Sequence, residues 1–250
     1  MIKPVFLATD MAMFGLAALL CAYIAYVRRT PPLAMQWLRV FERPVGMVSG
    51  VLLSMMVVLA LVDSIHYRQP LPQLVGGAPA YAPQTVSLLD AAISTLRAGQ
   101  EKTYSRPFHS TQLIKETQLL DGRSVRDNPP LKHGGAQLRN QSGAQPRGEL
   151  WEQTPSTVWL DIALKTAQGA LLGAVVGAIL VLWCLAALLA DVGAQFKHSA
   201  TVLKRAPVPW TLGFATALAV CMVFGALLNL STGWHVLGTD RAGNDLLYVA

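Results

Sequence analysis

A chain of 250 residues that is 53% hydrophobic and only 14% charged, with a mean hydropathy of +0.41, is too apolar for an ordinary water-soluble domain. The net charge of +6 is no nucleic-acid footprint, because no basic run is interleaved with aromatic residues. Several Lys and Arg instead flank apolar stretches, where membrane topology accounts for them. The lipid bilayer is therefore the expected partner and nucleic acid is not.

A hydrocarbon core of about 30 Å needs roughly 20 helical residues. Four segments meet that length: Val5 to Val27, Pro44 to Val62, Ala167 to Ala190 and Val208 to Leu230. The expected fold class is an all-α membrane protein, with four transmembrane helices in two hairpins and a long, partly ordered extracytoplasmic insert. Lys3 precedes the first segment and Arg28 and Arg29 close it, without a small-residue cleavage site. It is read as a retained helix rather than a signal peptide. Asp10 is expensive deep in lipid, so the span is taken to start near Met11, leaving Asp10 at the headgroup level.

Arg28, Arg29, Arg39 and Arg43 fill the first short connection, and Lys197, Lys204 and Arg205 fill the one between the third and fourth segments. Cytoplasmic loops favour Lys and Arg, so both are expected inside the cell. The N-terminus, the insert and the C-terminal end of a multi-pass protein then face outside, the periplasm if the cell is Gram-negative. The expected divisions are an N-terminal transmembrane hairpin over 1–66, the insert over 67–156, a second hairpin over 157–232 and a further segment over 233–250.

The insert opens with Pro70, Pro72, Gly76, Gly77, Pro79 and Pro83, a turn-rich linker. Thr85 to Arg97 reads as a short amphipathic helix, with Ser87 as N-cap, Leu88, Leu89, Ala92 and Leu96 on one face, and Gly99 as its stop. Thr111 to Val125 has a hairpin pattern, and 127–148 has almost no periodicity. Order throughout the insert is expected only against a partner.

In the third segment Gly169, Gly173 and Gly177 recur every fourth residue, beside Ala170, Ala174 and Ala178. Such a stripe lets another helix approach closely, since association in lipid depends on van der Waals contact. The fourth segment, the second segment and another subunit all remain open as its partner. Trp210 and Trp234 flank the fourth segment as interfacial anchors, while Trp183 is a packing or lipid-facing residue.

The residue types that carry chemistry are not arranged for it. Cys21, Cys184 and Cys221 each lie inside an apolar run and read as packing residues. The histidines at 66, 109, 133, 198 and 235 show no paired ligand spacing. The sequence contains no Gly-x-x-x-x-Gly-Lys-Ser/Thr, Gly-x-Ser-x-Gly or His-Glu-x-x-His. No catalytic residue, metal or cofactor is therefore expected, and any ATP hydrolysis belongs to another chain.

One motif stands above this background: His235-Val236-Leu237-Gly238-Thr239-Asp240-Arg241-Ala242-Gly243-Asn244-Asp245-Leu246-Leu247. It resembles the His-x-Leu-Gly-Thr-Asp-x-x-Gly-Arg-Asp-hydrophobic segment of dipeptide and oligopeptide ABC permease subunits. Leu237, Gly238, Thr239, Asp240, Gly243 and Asp245 match, and Asn244 stands where that family has Arg. The resemblance implies a permease subunit of an importer for peptides or similar solutes, working with a second permease subunit, ATP-binding subunits and an extracytoplasmic solute-binding protein. It implies that 233–250 opens the permease core and that the fourth segment is its first helix. The rest of that core, with a Glu-Ala-Ala-type docking loop, is expected to follow, so the chain reads as a fragment or a truncated gene product. In physical terms the motif is a turn followed by a helix start, with Gly238 allowing tight geometry and Asp245 in the first helical turn. A four-helix membrane scaffold or sensor, whose insert binds a partner, is the alternative.

Overall fold

In the computed structural model, which describes residues 3–71, 80–94, 99–120, 123–142, 148–192 and 207–249, four helices are long and apolar enough to cross a bilayer. They are α1 (Ala8–Arg29), α3 (Pro44–Asp63), α7 (Pro155–Val192) and α8 (Trp210–Ser231). The remaining elements are short: helices α2 (Pro31–Glu42), α4 (Leu88–Ala92), α5 (Ala136–Ser142), α6 (Leu150–Gln153) and α9 (Leu246–Val249), and strands β1 (Lys3–Val5), β2 (His66–Arg68), β3 (Val86–Ser87), β4 (Glu116–Leu120) and β5 (Arg123–Asp127). This is the all-α architecture of a multi-pass membrane protein. Leu19, Leu53, Leu171, Ile179 and Trp183 on its long helices are exposed, which in water would be a large unmet apolar surface.

The chain divides into two units, Met1–Ala92 with Ile179–Leu218, and Ile93–Ala178 with Ala219–Ala250. In the first, β2 lies between β1 and β3 in an antiparallel sheet, with His66 opposite both Val5 and Ser87. Asp10 lies in the first turn of α1, with only 2% of its surface exposed. Its Oδ2 accepts from the Leu7 amide at 3.0 Å and meets His66 Nδ1 at 3.1 Å. Asp10 is thus a paired helix-end residue rather than a solvated one.

The first connection is not a loop. Residues 31–42 form α2, with prolines in its first turn, where their missing N–H groups leave no hydrogen bond unmade. Further on, Ser87 caps α4 as expected: its hydroxyl accepts from the Asp90 amide at 2.9 Å, and Asp90 accepts from the Ser87 amide at 3.3 Å. That helix covers only the first part of the expected Thr85 to Arg97 span; Leu96 and Arg97 lie outside the described residues, as do Pro72, Gly76, Gly77 and Pro79 in the linker and Lys197, Lys204 and Arg205 in the second connection.

In the second unit β4 and β5 form an antiparallel hairpin, with Glu116 opposite Asp127 and Leu120 opposite Arg123. It begins later than the sequence pattern suggested. Leu138, Leu150, Val158, Leu230, Trp234 and Val236 make a core here, with Phe108, Trp151 and Ile162 packed against it. Trp234 is only 1% exposed and its indole N–H donates to Asp161 Oδ2 at 2.8 Å. The expected interfacial anchor is therefore a core residue, because Leu138 and Leu150 of the insert and Val158 of α7 pack with it.

The glycine stripe finds its partner in α8. A side chain on Gly169 would strike the Gly225 carbonyl and Asn229, and one on Gly173 would strike the Cys221 carbonyl and Met222 Cα. Gly225 meets Gly169 and Gly173 in return, and Gly177 is buried. Asn229 Nδ2 donates to the Lys165 carbonyl at 2.7 Å across the same contact.

Candidate functional site: a carboxylate and histidine clamp beneath the Gly-Thr-Asp turn

Chain reversal at 237–245 depends on two glycines. Gly238 and Gly243 both have φ of +79°, a left-handed conformation that costs an L side chain energy. Space excludes a side chain as well, since a Cβ on Gly238 would meet the Ser105 carbonyl and one on Gly243 the Glu101 carbonyl. Between them Asp240 Oδ1 accepts from the Asn244 amide at 2.8 Å, and the Asp240 amide donates to the Asn244 carbonyl at 3.0 Å. The Asn244 amide bond, ahead of other hydrogen bonds, holds the Asp240 carboxyl below its ordinary pKa. Where the resembled family carries Arg, Asn244 also reaches Asp240 Oδ2 with its side-chain amide at 3.3 Å. The turn is closed internally.

Residues 99–105 of the insert run against this turn. The Glu101 amide donates to the Gly243 carbonyl at 2.8 Å. Thr239 Oγ1 donates to the Thr103 carbonyl at 2.8 Å and accepts from the Ser105 hydroxyl at 3.1 Å. Thr239 is 2% exposed, so its hydroxyl has no water to fall back on and these bonds fix the register of the two segments. Leu237 is 46% exposed and takes no part in the buried contact.

At the centre lies His235. Its Nδ1 is 2.7 Å from Asp245 Oδ2 and its Nε2 3.2 Å from Glu101 Oε1. All three side chains are at least 96% buried. Burial works against the charged ring, but the carboxylates of Asp245 and Glu101 outweigh it and raise the His235 pKa to about 9. Burial likewise opposes ionisation of Glu101. His235 and the amides of Lys132, His133 and Gly134, donating at 2.7, 2.6 and 3.2 Å, overcome it and bring Glu101 down to about 2. An imidazolium donating both ring protons to two carboxylates, one of them seated in three successive amides, satisfies every group that burial would otherwise penalise.

A second polar centre supports the first. Ser110 is fully buried, and its amide and hydroxyl both donate to Glu149 Oε1 at 2.9 Å. The same hydroxyl accepts from the Leu150 amide and from Arg139, both at 3.0 Å, while Thr111 Oγ1 donates to Glu149 Oε2 at 2.7 Å. One donor and two lone pairs are thus all used. Burial lowers the Arg139 pKa and the Glu149 charge opposes that shift. Beside this network opens a cleft of about 410 Å³ lined by Arg106, Gln112, Lys115, Asp127 and Glu152.

Of the six motif residues, Gly238, Thr239, Asp240, Gly243 and Asp245 thus form one hydrogen-bonded structure, from which the exposed Leu237 projects; Gly169 and Gly173 belong instead to the α7 and α8 contact, and Gly177 is buried further along α7. Glu101 and the amides at 132–134 had no sequence signal beyond a glycine pair at 134–135. Among the described residues no group of three His, Cys, Asp or Glu side chains is arranged to hold a metal ion. No family model, curated protein or solved structure matches the chain. Fold and site define a four-span, multi-pass α-helical membrane protein whose polar insert is tied to the turn after its last long helix.

Proposed function

We propose that this chain is part of a permease subunit of a bacterial inner-membrane ABC importer for peptides or similar small solutes. The observation that carries the reading is the segment 235–245, whose spacing resembles that family's and which follows a long apolar helix directly. In this reading α8 is the first helix of the permease core, and the N-terminus, the insert and the turn lie outside the cell. A second permease subunit completes the pore, ATP-binding subunits drive it, and a solute-binding protein delivers cargo to the outer face. The chain binds and moves rather than catalyses. The His235 clamp supports that role mechanically, since it joins residues 99–134 of the insert to the gate-side turn, so that a delivering protein meets them as a single surface.

The test is isolation of the protein from its native membrane, followed by reconstitution with its co-purifying subunits. An ATP-binding subunit is expected to co-purify, and ATP hydrolysis in proteoliposomes to rise when solute and a solute-binding protein are supplied at the outer face. Isolation without any ATPase, leaving a scaffold or sensor that holds a partner through its insert, overturns the reading.

A further inference from the structure

We infer that α2 is an in-plane interfacial helix whose Arg39, together with Arg29 and Arg43 at its two joints, binds the headgroups of anionic phospholipids. The inference rests on the long apolar helices crossing a bilayer and is independent of the importer reading.

Connectivity supplies the first argument. α1 ends at Arg29 and α3 begins at Pro44, and only Thr30 and Arg43 join them to α2. Two spans that meet a 12-residue helix through single-residue joints leave it no room to move away from the membrane surface; at 1.5 Å per residue it is about 18 Å long. Its pattern fits that position. At 100° per residue Leu33, Ala34, Trp37, Leu38 and Phe41 share one face and Gln36, Arg39 and Glu42 the other. Trp37 Nε1 donates to the Tyr23 hydroxyl of α1 at 3.2 Å. The Trp37 ring stacks on Phe41 with centroids 6.2 Å apart, and Phe41 fills the space left by Gly50 on α3. The aromatic face is therefore turned to the spans, while Leu38 at its edge stays 41% exposed. A helix in the interface sinks such an apolar face about 5–10 Å below the headgroups.

Charge supplies the second argument. Arg29, Arg39 and Arg43 are exposed, and among the described residues none of them is ion-paired. Over residues 28–43 the sequence carries four arginines and one carboxylate, Glu42. A planar guanidinium matches a phosphate diester with paired hydrogen bonds. Near an anionic surface each basic residue strengthens binding about fivefold, so three arginines acting together give roughly a hundredfold.

The purified chain in detergent, titrated with phosphatidylglycerol or phosphatidylcholine and read by native mass spectrometry, tests this. Phosphatidylglycerol is expected to bind at least tenfold tighter, and the preference to shrink as salt approaches 1 M, where screening acts within about 3 Å. Replacing all three arginines (R29Q, R39Q and R43Q) should cost at least tenfold in phosphatidylglycerol affinity and leave phosphatidylcholine binding unchanged, whereas R241Q, at an exposed arginine elsewhere, should keep the preference. If the triple variant does not fold, R39Q alone, on the face opposite Trp37 and Phe41, should cost about fivefold. Equal affinity for the two lipids, or an undiminished preference in the variants, overturns the inference.

Discussion

His235 is a cation that the fold both buries and uses. Its pKa is raised, so its stabilising contribution is complete below its ordinary value of about 6.5 and is lost as pH climbs through about 9. Glu101 is shifted the other way, so its contribution is complete above about 4.5 and is lost as pH falls through about 2. Both are in full force only between those ordinary values, and the clamp should loosen first on the alkaline side. Trp234 fluorescence followed from pH 6 to 10 is expected to change with a midpoint near 9, and a flat profile would contradict the assignment. His235→Ala leaves two carboxylates facing each other in a dry site and should cost about 3–5 kcal/mol, measured as a lowered unfolding midpoint at pH 6. Gly243→Ala should act in the same unit by another route, because a left-handed φ and the Glu101 carbonyl both exclude the new methyl. Its expected effect is earlier hydrogen exchange at the Glu101 amide, which donates to the Gly243 carbonyl.

Among the elements, α7 shows how one helix serves two solvents. Its 38 residues extend about 57 Å, nearly twice the hydrocarbon thickness. Asp161 and Lys165 pair at 2.8 Å near its start, and Asp161 also holds Trp234, so the lipid-facing part begins beyond Lys165. From there Gly169 and Gly173 bring the backbone of α8 into contact, and the Asn229 bond to the Lys165 carbonyl closes that contact at its polar end. Gly173→Leu is expected to separate the hairpin, costing about 1–3 kcal/mol or more by overpacking. The readout is the thermal unfolding midpoint in detergent. A leucine placed at Ala174, on the neighbouring stripe, is the comparison, and equal effects at the two positions would deny the close contact. The hairpin of β4 and β5 and the cap of α4 were legible in sequence because turn and cap signals are local. α2 was not, although Thr30-Pro31-Pro32 followed by aromatics at 37 and 41 carries a helix start and an apolar stripe; its arginines had been read as loop charge alone.

At the scale of the whole molecule, the proposed orientation makes a prediction of its own. A reporter fused after Asp191 should be active only in the cytoplasm, and one fused within Gln112 to Gly148 only outside, because a long loop is translocated largely regardless of its charge. Reversed activities would refute that orientation. The four spans and the Gly-Thr-Asp turn followed from sequence alone, since spanning depends on the length of an apolar run and a turn on a few neighbouring residues. What only the tertiary structure decided was which polar groups meet. Glu101 and His235 are 134 residues apart, Asp10 and His66 are 56 apart, and no periodicity links such pairs. Trp234 was misread for the same reason: a tryptophan beside a span is lipid-facing or buried according to what packs on it, and here that is the insert's Leu138 and Leu150, about 90 residues earlier in the chain.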